Sequence, residues 1–439
     1  MLAVLLALAC RPAPPDGPVN VLLVTLDTTR ADHLSAYGYI RPTTPHLRAL
    51  AERSLTFDAA WAPMATTLPS HTSLMTGVWP LEHGVLSNVE HGGRRLVASE
   101  AIVPAAQLFA DAGYATAAFV SAAPLHRGTG IERGFATFDQ GDRVVRPGRV
   151  TTEAALGWLR EHVREPFFLW VHDFDPHGPF DPPRRYDRFR RDPTLDRWLA
   201  QRRIPEATHR AGGAPMQTAE AHDGYDGELL EVDDHVQRLL DLLERRGVAD
   251  RTIVVVVGDH GEGLGQHDVG GHGHVWREQL QVPLLVHVPW LPPRRIEAPV
   301  AMVDVLPTLL GLVDLPGADA WRARASGHDV LHEPSGPSLG LSSLRQAALG
   351  TAPQRALTVG RWRWLQVDGR EQLYDLGTDG FELTDLAEVL PVHRQLLSRW
   401  ADALEAAQRA RGGELGAATA APLSPEEVQA LEALGYTAP

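Results

Sequence analysis

Apolar, β-branched runs alternate with amphipathic helical patterns along the first two thirds of the chain. The runs predict buried strands at Asn20–Asp27, Thr116–Ser121, Phe167–Asp175, Thr252–Asp259 and Pro283–Val288. Periodicity near 3.6 residues predicts helices at Pro45–Ser54, Glu100–Ala112, Thr152–Val163 and Gly227–Arg246. Strands that alternate with helices predict an α/β fold, a mostly parallel sheet with helices on both faces.

Polar residues follow several of these predicted strands at the point where each strand ends. They are Asp27, Asp173, Asp175, Asp259 and His260. Parallel sheets bind ligands outside the carboxyl ends of their strands. We therefore expect these side chains to converge on one edge of the sheet, whatever the strand order.

The pattern changes in two places. Arg184–Ala221 is rich in Arg, Pro and polar residues and is interpreted as an insertion or lid near the site. Beyond residue 345, short strands at Ala356–Val359 and Trp362–Val367 precede helices at Pro391–Arg411 and Pro425–Leu434. The predicted division is a leader and tether over 1–18, a catalytic domain over 19–345 and a smaller α+β subdomain over 346–439.

The amino-acid composition limits the kinds of molecule that the protein is expected to bind. The net charge is −14, and the sequence contains no basic run, which argues against non-specific binding to nucleic acid or to an anionic membrane surface. All 41 basic residues are arginines.

The single cysteine, Cys10, follows an apolar run too short to span a bilayer. Ala7-Leu8-Ala9-Cys10 resembles a bacterial lipobox, and the Pro-rich residues after it suit a tether. We expect an exported protein, lipid-anchored at the cell envelope through Cys10 or periplasmic. The alternative is a trimmed signal peptide with an incidental cysteine.

The most informative motif is Thr67-Leu68-Pro69-Ser70-His71, followed by Thr76-Gly77. It resembles the signature box of the sulfatases, in the alkaline phosphatase superfamily, whose pattern is Cys-x-Pro-Ser-Arg and then Thr-Gly. That family oxidises the first Cys or Ser to formylglycine, the nucleophile. Here Thr67 holds that position and His71 holds the Arg position. Since threonine is not a known substrate for that oxidation, the hydroxyl of Thr67 is the expected nucleophile, as in the superfamily's phosphoester enzymes. The lysines of sulfatase active sites are also absent.

Two further motifs resemble the family's metal-binding boxes: Asp27-Thr28-Thr29-Arg30 and Gly258-Asp259-His260-Gly261-Glu262. The resemblance implies one metal site formed by Asp27, Thr67, Asp259 and His260. Carboxylates combined with imidazole suit Zn²⁺, Mn²⁺ or iron better than Ca²⁺ alone, and Ca²⁺ stays a candidate. Arg30 is assigned equally to anion binding and to loop stabilisation.

Asp173-Phe174-Asp175-Pro176-His177 admits two interpretations. In two-metal relatives, an Asp and a His at this spacing hold a second ion, which gives the set Asp173, His177 and His272. In sulfatases the equivalent His contacts the substrate, and one metal is the favoured interpretation. The resemblance assigns Arg30, His71, His177 and His274 to stabilising charge or the leaving group.

The expected activity is metal-dependent hydrolysis of sulfate or phosphate esters of a small molecule, glycan or lipid. Thr67 and the missing lysines favour phosphate mono- or diesters. One alternative is a transferase of the same superfamily that passes a phospho group to an acceptor. Another is a non-catalytic lipoprotein that binds anionic glycans.

Overall fold

The computed structural model describes residues 15–88, 95–96, 101–190, 192–211, 214–343, 346 and 350–416. Cys10 and the predicted helix Pro425–Leu434 lie outside these residues. Among the described residues, no helix combines the length and apolar character that crossing a bilayer requires.

The strands, in chain order, are β1 (Asn20–Leu26), β2 (Leu55–Trp61), β3 (Ala115–Phe119), β4 (Thr137–Asp139), β5 (Phe167–Asp173), β6 (Thr208–Ala211), β7 (Ala214–Gln217), β8 (Thr252–Gly258), β9 (Gly263–Leu264), β10 (Gly270–Gly271), β11 (Gln281–His287), β12 (Arg294–Ile296), β13 (Val300–Ala301), β14 (Ser338–Leu341), β15 (Arg355–Val359), β16 (Trp362–Val367) and β17 (Arg370–Asp375).

The α-helices are α1 (Pro45–Ala51), α2 (Thr67–Thr76), α3 (Pro80–His83), α4 (Ala105–Asp111), α5 (Gly148–His162), α6 (Thr194–Gln201), α7 (Thr218–Arg245), α8 (Arg277–Leu280), α9 (Val305–Leu312), α10 (Ala318–Arg322) and α11 (Pro391–Glu414).

One nine-stranded sheet organises the protein. Its order is β12-β2-β11-β8-β1-β5-β3-β4, and β13 pairs beside β2. The strands from β8 through β4 run parallel, which confirms the predicted mostly parallel α/β fold. The expectation of a parallel strand at Pro283–Val288 is wrong, because β11 runs antiparallel to both β2 and β8.

Alternation along the central strands builds two hydrophobic cores, one on each face of the sheet. In β1, Val21 and Leu23 face one core, while Leu22 and Val24 face the other. Helices α2, α4 and α9 cover the first face, and α1, α5 and α7 cover the second. The parity of a strand residue therefore decides which face its side chain reaches.

The polar insertion holds the hairpin β6–β7, helix α6 and the start of α7. Helix α7 begins at Thr218, nine residues before the predicted start at Gly227. Gly224 and Gly227 interrupt the helical pattern, yet both are required for packing. A Cβ would lie 2.8 Å from Phe180 at the first and 2.6 Å from Pro182 at the second.

A separate antiparallel sheet, β14-β15-β16-β17, forms the C-terminal part. Helix α11 packs Leu397 and Ala401 against it, in a core that includes Trp364. The sheet begins at Ser338, within the range that the sequence division assigned to the catalytic domain.

Candidate active site

The carboxyl ends of three adjacent parallel strands form the floor of the site. The backbone pairing continues one residue past each strand, since Asp27 N–H donates to the Asp173 carbonyl at 2.9 Å and Asp259 N–H donates to the Leu26 carbonyl at 3.1 Å. These bonds fix Asp27 and Asp259 side by side, as the strand ends predicted.

Thr67 is the first residue of helix α2. Pro69 lies within the first turn of this helix, where proline is tolerated. The helix ends at Gly77, which has a left-handed φ of 67°. The first-turn N–H groups are mostly engaged, since Leu68 N–H donates to Asn88 Oδ1 at 2.8 Å and Ser70 N–H donates to the Thr66 carbonyl at 3.2 Å. The positive end of the helix dipole still favours an anion beside Thr67.

The Thr67 hydroxyl lies between two groups of the strand ends. Its Oγ1 is 3.5 Å from Asp27 Oδ2 and 3.5 Å from His260 Nε2. His260 Nε2 is also 3.5 Å from Asp259 Oδ2. Ligands of one tetrahedral ion with bonds of about 2.1 Å lie about 3.4 Å apart. The spacing of these four residues thus fits one cation.

The unpaired oxygens also fit a cation. Asp27 Oδ1 and Asp259 Oδ2 are buried and lack a hydrogen-bond partner among the described residues. Burial raises the pKa of Asp27, against the opposing charge of His260, and burial together with Asp27 raises the pKa of Asp259. Two buried, neighbouring carboxylates are stabilised by a divalent charge between them.

His260 presents the correct nitrogen. Its Nδ1–H donates to the Gly261 carbonyl at 3.0 Å, so the lone pair is on Nε2. Burial lowers the pKa of His260 to about 4, which keeps the ring neutral at physiological pH. A neutral imidazole with a free Nε2 is the form that binds metals.

His172 belongs to the site and was missed from the sequence. Its Nε2 is 3.2 Å from Asp27 Oδ2, and it is fully buried. Ser121 N–H donates to its Nδ1 at 3.4 Å, so Nε2 carries the proton and donates to Asp27. Burial lowers the pKa of His172 to about 3. Strand alternation was the available signal, because His172 pairs with Thr25, two residues before Asp27.

His71 lies one helical turn after Thr67 and contacts its backbone. Its Nδ1–H donates to the Thr67 carbonyl at 2.8 Å, and its Nε2 accepts from Thr25 Oγ1 at 3.0 Å. Its Nδ1 is 3.6 Å from Asp259 Oδ2. Both nitrogens are engaged and the ring is fully buried. This geometry makes His71 a positioning residue for Thr67 instead of a group that contacts the reacting ester.

His177 and His272 form the partly exposed rim. Their Nε2 atoms are 3.3 Å apart, and the His272 ring lies 4.6 Å from the His260 ring. The Nδ1 of each ring faces a backbone carbonyl, Gly178 O for His177 and Ala65 O for His272. Since carbonyls only accept, both Nδ1 atoms carry hydrogen. The facing Nε2 atoms therefore share a proton whenever the contact is a hydrogen bond.

Two other predicted residues point elsewhere. The Arg30 guanidinium is paired with Asp32 at 2.9 Å and donates to the Glu262 carbonyl at 3.1 Å, which favours loop stabilisation over anion binding. His274 Nδ1 faces Gln354 Oε1, in the C-terminal part, at 3.2 Å.

The structure does not bring Asp173 together with His177 and His272. Asp173 has the parity of Val171, which faces the second core, so its carboxylate lies on the opposite face of the sheet from Asp27. There Asp173 Oδ2 accepts from His235 Nδ1 at 2.7 Å. The proposed second-metal set therefore lacks its carboxylate.

Residues 19–315 match the family model described as Sulfatase, which covers more than half of the chain. The chain belongs to the sulfatase family, and the protein is an ester hydrolase of that family. The resemblance drawn from the motifs is confirmed at this level.

Individual relatives agree. A protein called Sulfatase from Formosa agariphila is 25% identical over 418 residues, which is 82% of this chain and 81% of the relative. An arylsulfatase of Clostridium perfringens is 22% identical over 450 residues, covering 84% and 90%. The crystal structure of a phosphonate monoester hydrolase of Agrobacterium radiobacter shares the fold, with a TM-score of 0.71, 21% identity, and coverage of 90% and 96%.

Proposed function

We propose that this protein is a metal-dependent hydrolase that uses Thr67 as nucleophile and prefers phosphate mono- or diesters to sulfate esters. The observation that carries the proposal is the Thr67 hydroxyl, 3.5 Å from both Asp27 Oδ2 and His260 Nε2 at the start of α2. A threonine hydroxyl is a poor nucleophile unless its surroundings lower its pKa.

Asp27, Asp259, His260 and Thr67 would hold one divalent cation. When bound, such a cation would lower the pKa of the threonine hydroxyl and polarise the ester. The mixed carboxylate and imidazole set supports Zn²⁺ or Mn²⁺ over Ca²⁺.

The chain's own groups account for the proton movements. The Thr67 oxygen attacks phosphorus in line while the bond to the leaving oxygen breaks, and Asp27 Oδ2, 3.5 Å from the hydroxyl, receives its proton. The leaving oxygen takes a proton from the His177–His272 pair at the rim. Water then attacks phosphorus and gives its proton to the His177–His272 pair, while the bond to Thr67 breaks and the Thr67 oxygen takes back the proton held by Asp27, which releases the phosphate product. The positive end of the α2 helix dipole stabilises the charge that develops on the non-bridging oxygens.

Substrate preference is supported by two features of the sequence. Thr67 stands where sulfatases carry the residue oxidised to formylglycine, and no lysine is present to bind a sulfate group. Because fold and family leave the ester open, the preference requires direct comparison.

The test is turnover of matched nitrophenyl esters by the metal-reconstituted protein: sulfate, phosphate monoester, phosphate diester and phosphonate. Thr67→Ala is compared with Thr76→Ala, which removes another buried hydroxyl from the same helix, one that bonds only Thr72 O. We expect phosphorus-ester turnover that Thr67→Ala reduces by at least about 10²-fold and that Thr76→Ala retains.

Three outcomes would contradict the proposal. Full activity in Thr67→Ala would show that Thr67 is not the nucleophile. Turnover of sulfate alone would reverse the substrate preference. Absence of both turnover and bound metal would favour the anionic-glycan-binding lipoprotein.

We also propose export and lipid attachment at Cys10, supported by the Ala7-Leu8-Ala9-Cys10 sequence. Labelled palmitate should enter the wild-type protein in a bacterial host. A Cys10→Ala variant that incorporates the same label would refute the attachment site.

A further inference from the structure

A second polar cluster lies on the opposite face of the sheet from Thr67. His235 on α7 contacts three carboxylates: Asp173 at the end of β5, Asp175 two residues later, and Glu231 on α7. Glu228, also on α7, adds a fourth carboxylate close to Asp175 and Glu231. The ligand atoms of Asp173, Asp175 and His235 lie within 4.8 Å of one another. The proposed hydrolytic mechanism uses none of these side chains.

His235 is the central group. It is 2% exposed, and its Nδ1 is 2.7 Å from Asp173 Oδ2. An ionised carboxylate only accepts, so Nδ1 carries the hydrogen. Burial lowers the pKa of His235, but Asp173, Asp175 and Glu231 together raise it above its ordinary value. When the ring is neutral, the bond from Nδ1 to Asp173 leaves the lone pair on Nε2, in the arrangement by which a carboxylate orients a metal-binding histidine.

The Nε2 atom has no hydrogen-bond partner among the described residues. A buried polar nitrogen without a partner costs about 1–3 kcal/mol. A natural sequence therefore rarely retains one unless a water or ion satisfies it.

Nε2 faces a carboxylate from the preceding turn of the same helix. Glu231 Oε1 is 3.7 Å away, with Glu231 5% exposed. That separation is too long for a hydrogen bond. It is close to the roughly 3.4 Å between two ligands of a tetrahedral ion.

The surrounding charge favours a cation. Burial, followed by Asp175 and Glu231, raises the pKa of Glu228 to about 9, and burial with Asp173 raises the pKa of Asp175. Arg149 and Arg185 are the cations that act on Glu231, besides His235 itself. Four carboxylates thus exceed the positive charge around them, and a proton or a metal ion must compensate the excess.

The backbone makes room for the cluster. Gly148 begins α5 against these carboxylates, and its N–H donates to Asp175 Oδ1 at 2.8 Å. A Cβ at position 148 would lie 2.1 Å from Asp173 Oδ1, so only glycine permits this approach.

We propose that His235 Nε2 and Glu231 bind a second divalent ion, of the borderline class that accepts both imidazole and carboxylate, such as Zn²⁺. Asp173 is a positioning residue that fixes the histidine tautomer, and water completes the coordination. The two proposed sites share no ligand, because they lie on opposite faces of the sheet.

The first experiment counts Zn²⁺ per chain by elemental analysis, after loading the apo-protein and removing weakly bound ions by dialysis. The wild type should retain two equivalents. Glu231→Gln and His235→Gln should each retain one, while Asp259→Asn, which disables the hydrolytic site, should also retain one. The double variant Glu231→Gln with Asp259→Asn should retain none.

The matched control is Glu244→Gln, the same change at an exposed position of α7, which should keep two equivalents. Asp173→Asn tests whether Asp173 fixes the tautomer of His235. It should lower the affinity of the second site for Zn²⁺ by about 10- to 100-fold, measured in competition with a chromophoric chelator. Circular dichroism confirms the fold of each variant.

Two results would overturn the proposal. One is a wild type that binds no more Zn²⁺ than Glu231→Gln. The other is a second equivalent that persists in both Glu231→Gln and His235→Gln, which would place that ion elsewhere. Failure of the hydrolytic site would instead appear as one equivalent in wild type, unchanged in Asp259→Asn and lost in Glu231→Gln.

Discussion

Neutralising Asp259 should stabilise the metal-free protein and remove the stabilisation that a metal ion at the Thr67 site provides. Asp27 and Asp259 are fully buried, and each has an oxygen without a partner among the described residues. Since burial raises both pKa values, the metal-free native state binds more protons than the unfolded chain. Its stability therefore falls as pH rises from the unfolded carboxyl pKa of about 3.9 towards the raised values.

The expected change in Tm is the change in unfolding free energy divided by the unfolding entropy, which scales with chain length. Each unit by which a carboxyl pKa is raised costs about 1.4 kcal/mol at higher pH. With an unfolding entropy of about 0.9 kcal/mol/K for 439 residues, that cost corresponds to ~1.5 °C in Tm. Metal at a hundred times its Kd adds about 2.7 kcal/mol, or ~3 °C.

The assay is differential scanning calorimetry of the apo and metal-loaded proteins between pH 5 and 8. Asp259→Asn should melt above the wild type without metal, with a flatter pH profile. Compared in the Glu231→Gln background, which lacks the other proposed site, it should show no rise in Tm on adding metal. Asp250→Asn, at an exposed position, should behave like the wild type. A metal-free Asp259→Asn protein that melts lower than the wild type would refute the reasoning, because it would make the Asp259 charge stabilising.

Three further predictions test particular contacts. His172→Gln should weaken metal binding by about 10- to 100-fold, since it removes a donor to a metal ligand, as a chelator competition would measure. Burial lowers the pKa of His267, but Glu278 at 3.0 Å raises it to about 9. This pair therefore stabilises the fold fully below pH 6.5 and loses roughly 3 kcal/mol as pH rises through 9. Denaturant titrations should show that loss in the wild type but not in His267→Gln. Gly148→Ala should lose about 1–3 kcal/mol of unfolding free energy, whereas Gly157→Ala in the same helix meets nothing within 4 Å and should gain about 0.5–1 kcal/mol.

The predicted boundaries of the central strands lie within two residues of the observed ones. This agreement is expected, because fully buried parallel strands are continuous apolar runs. It did not predict β2, whose run Leu55–Trp61 contains Asp58 and resembles a surface segment. Pairing with β11 and β12 places that strand inside the sheet. The sequence also could not predict that β11 runs antiparallel to its neighbours, since the apolar pattern of a buried strand does not depend on its direction in the sheet.

Asp27, Thr67, Asp259 and His260 were predicted from local motifs, and the structure brings them together. The carboxyl ends of parallel strands meet at one edge, so a polar residue just after a buried run is already placed there by the chain itself. The sequence by itself thus determined the fold class, the sheet edge and the position of Thr67 at that edge.

Tertiary structure decided which face of the sheet each residue reaches and with what partner. His172 and Asp173 are neighbours in sequence, but their side chains lie on opposite faces of the sheet. His172 hydrogen-bonds Asp27 beside Thr67, whereas Asp173 hydrogen-bonds His235 of α7. A strand's period of two sends adjacent side chains to opposite faces, and only the register with neighbouring strands says which face holds the site. That register is a property of the assembled sheet, because it depends on hydrogen bonds between segments far apart in the chain.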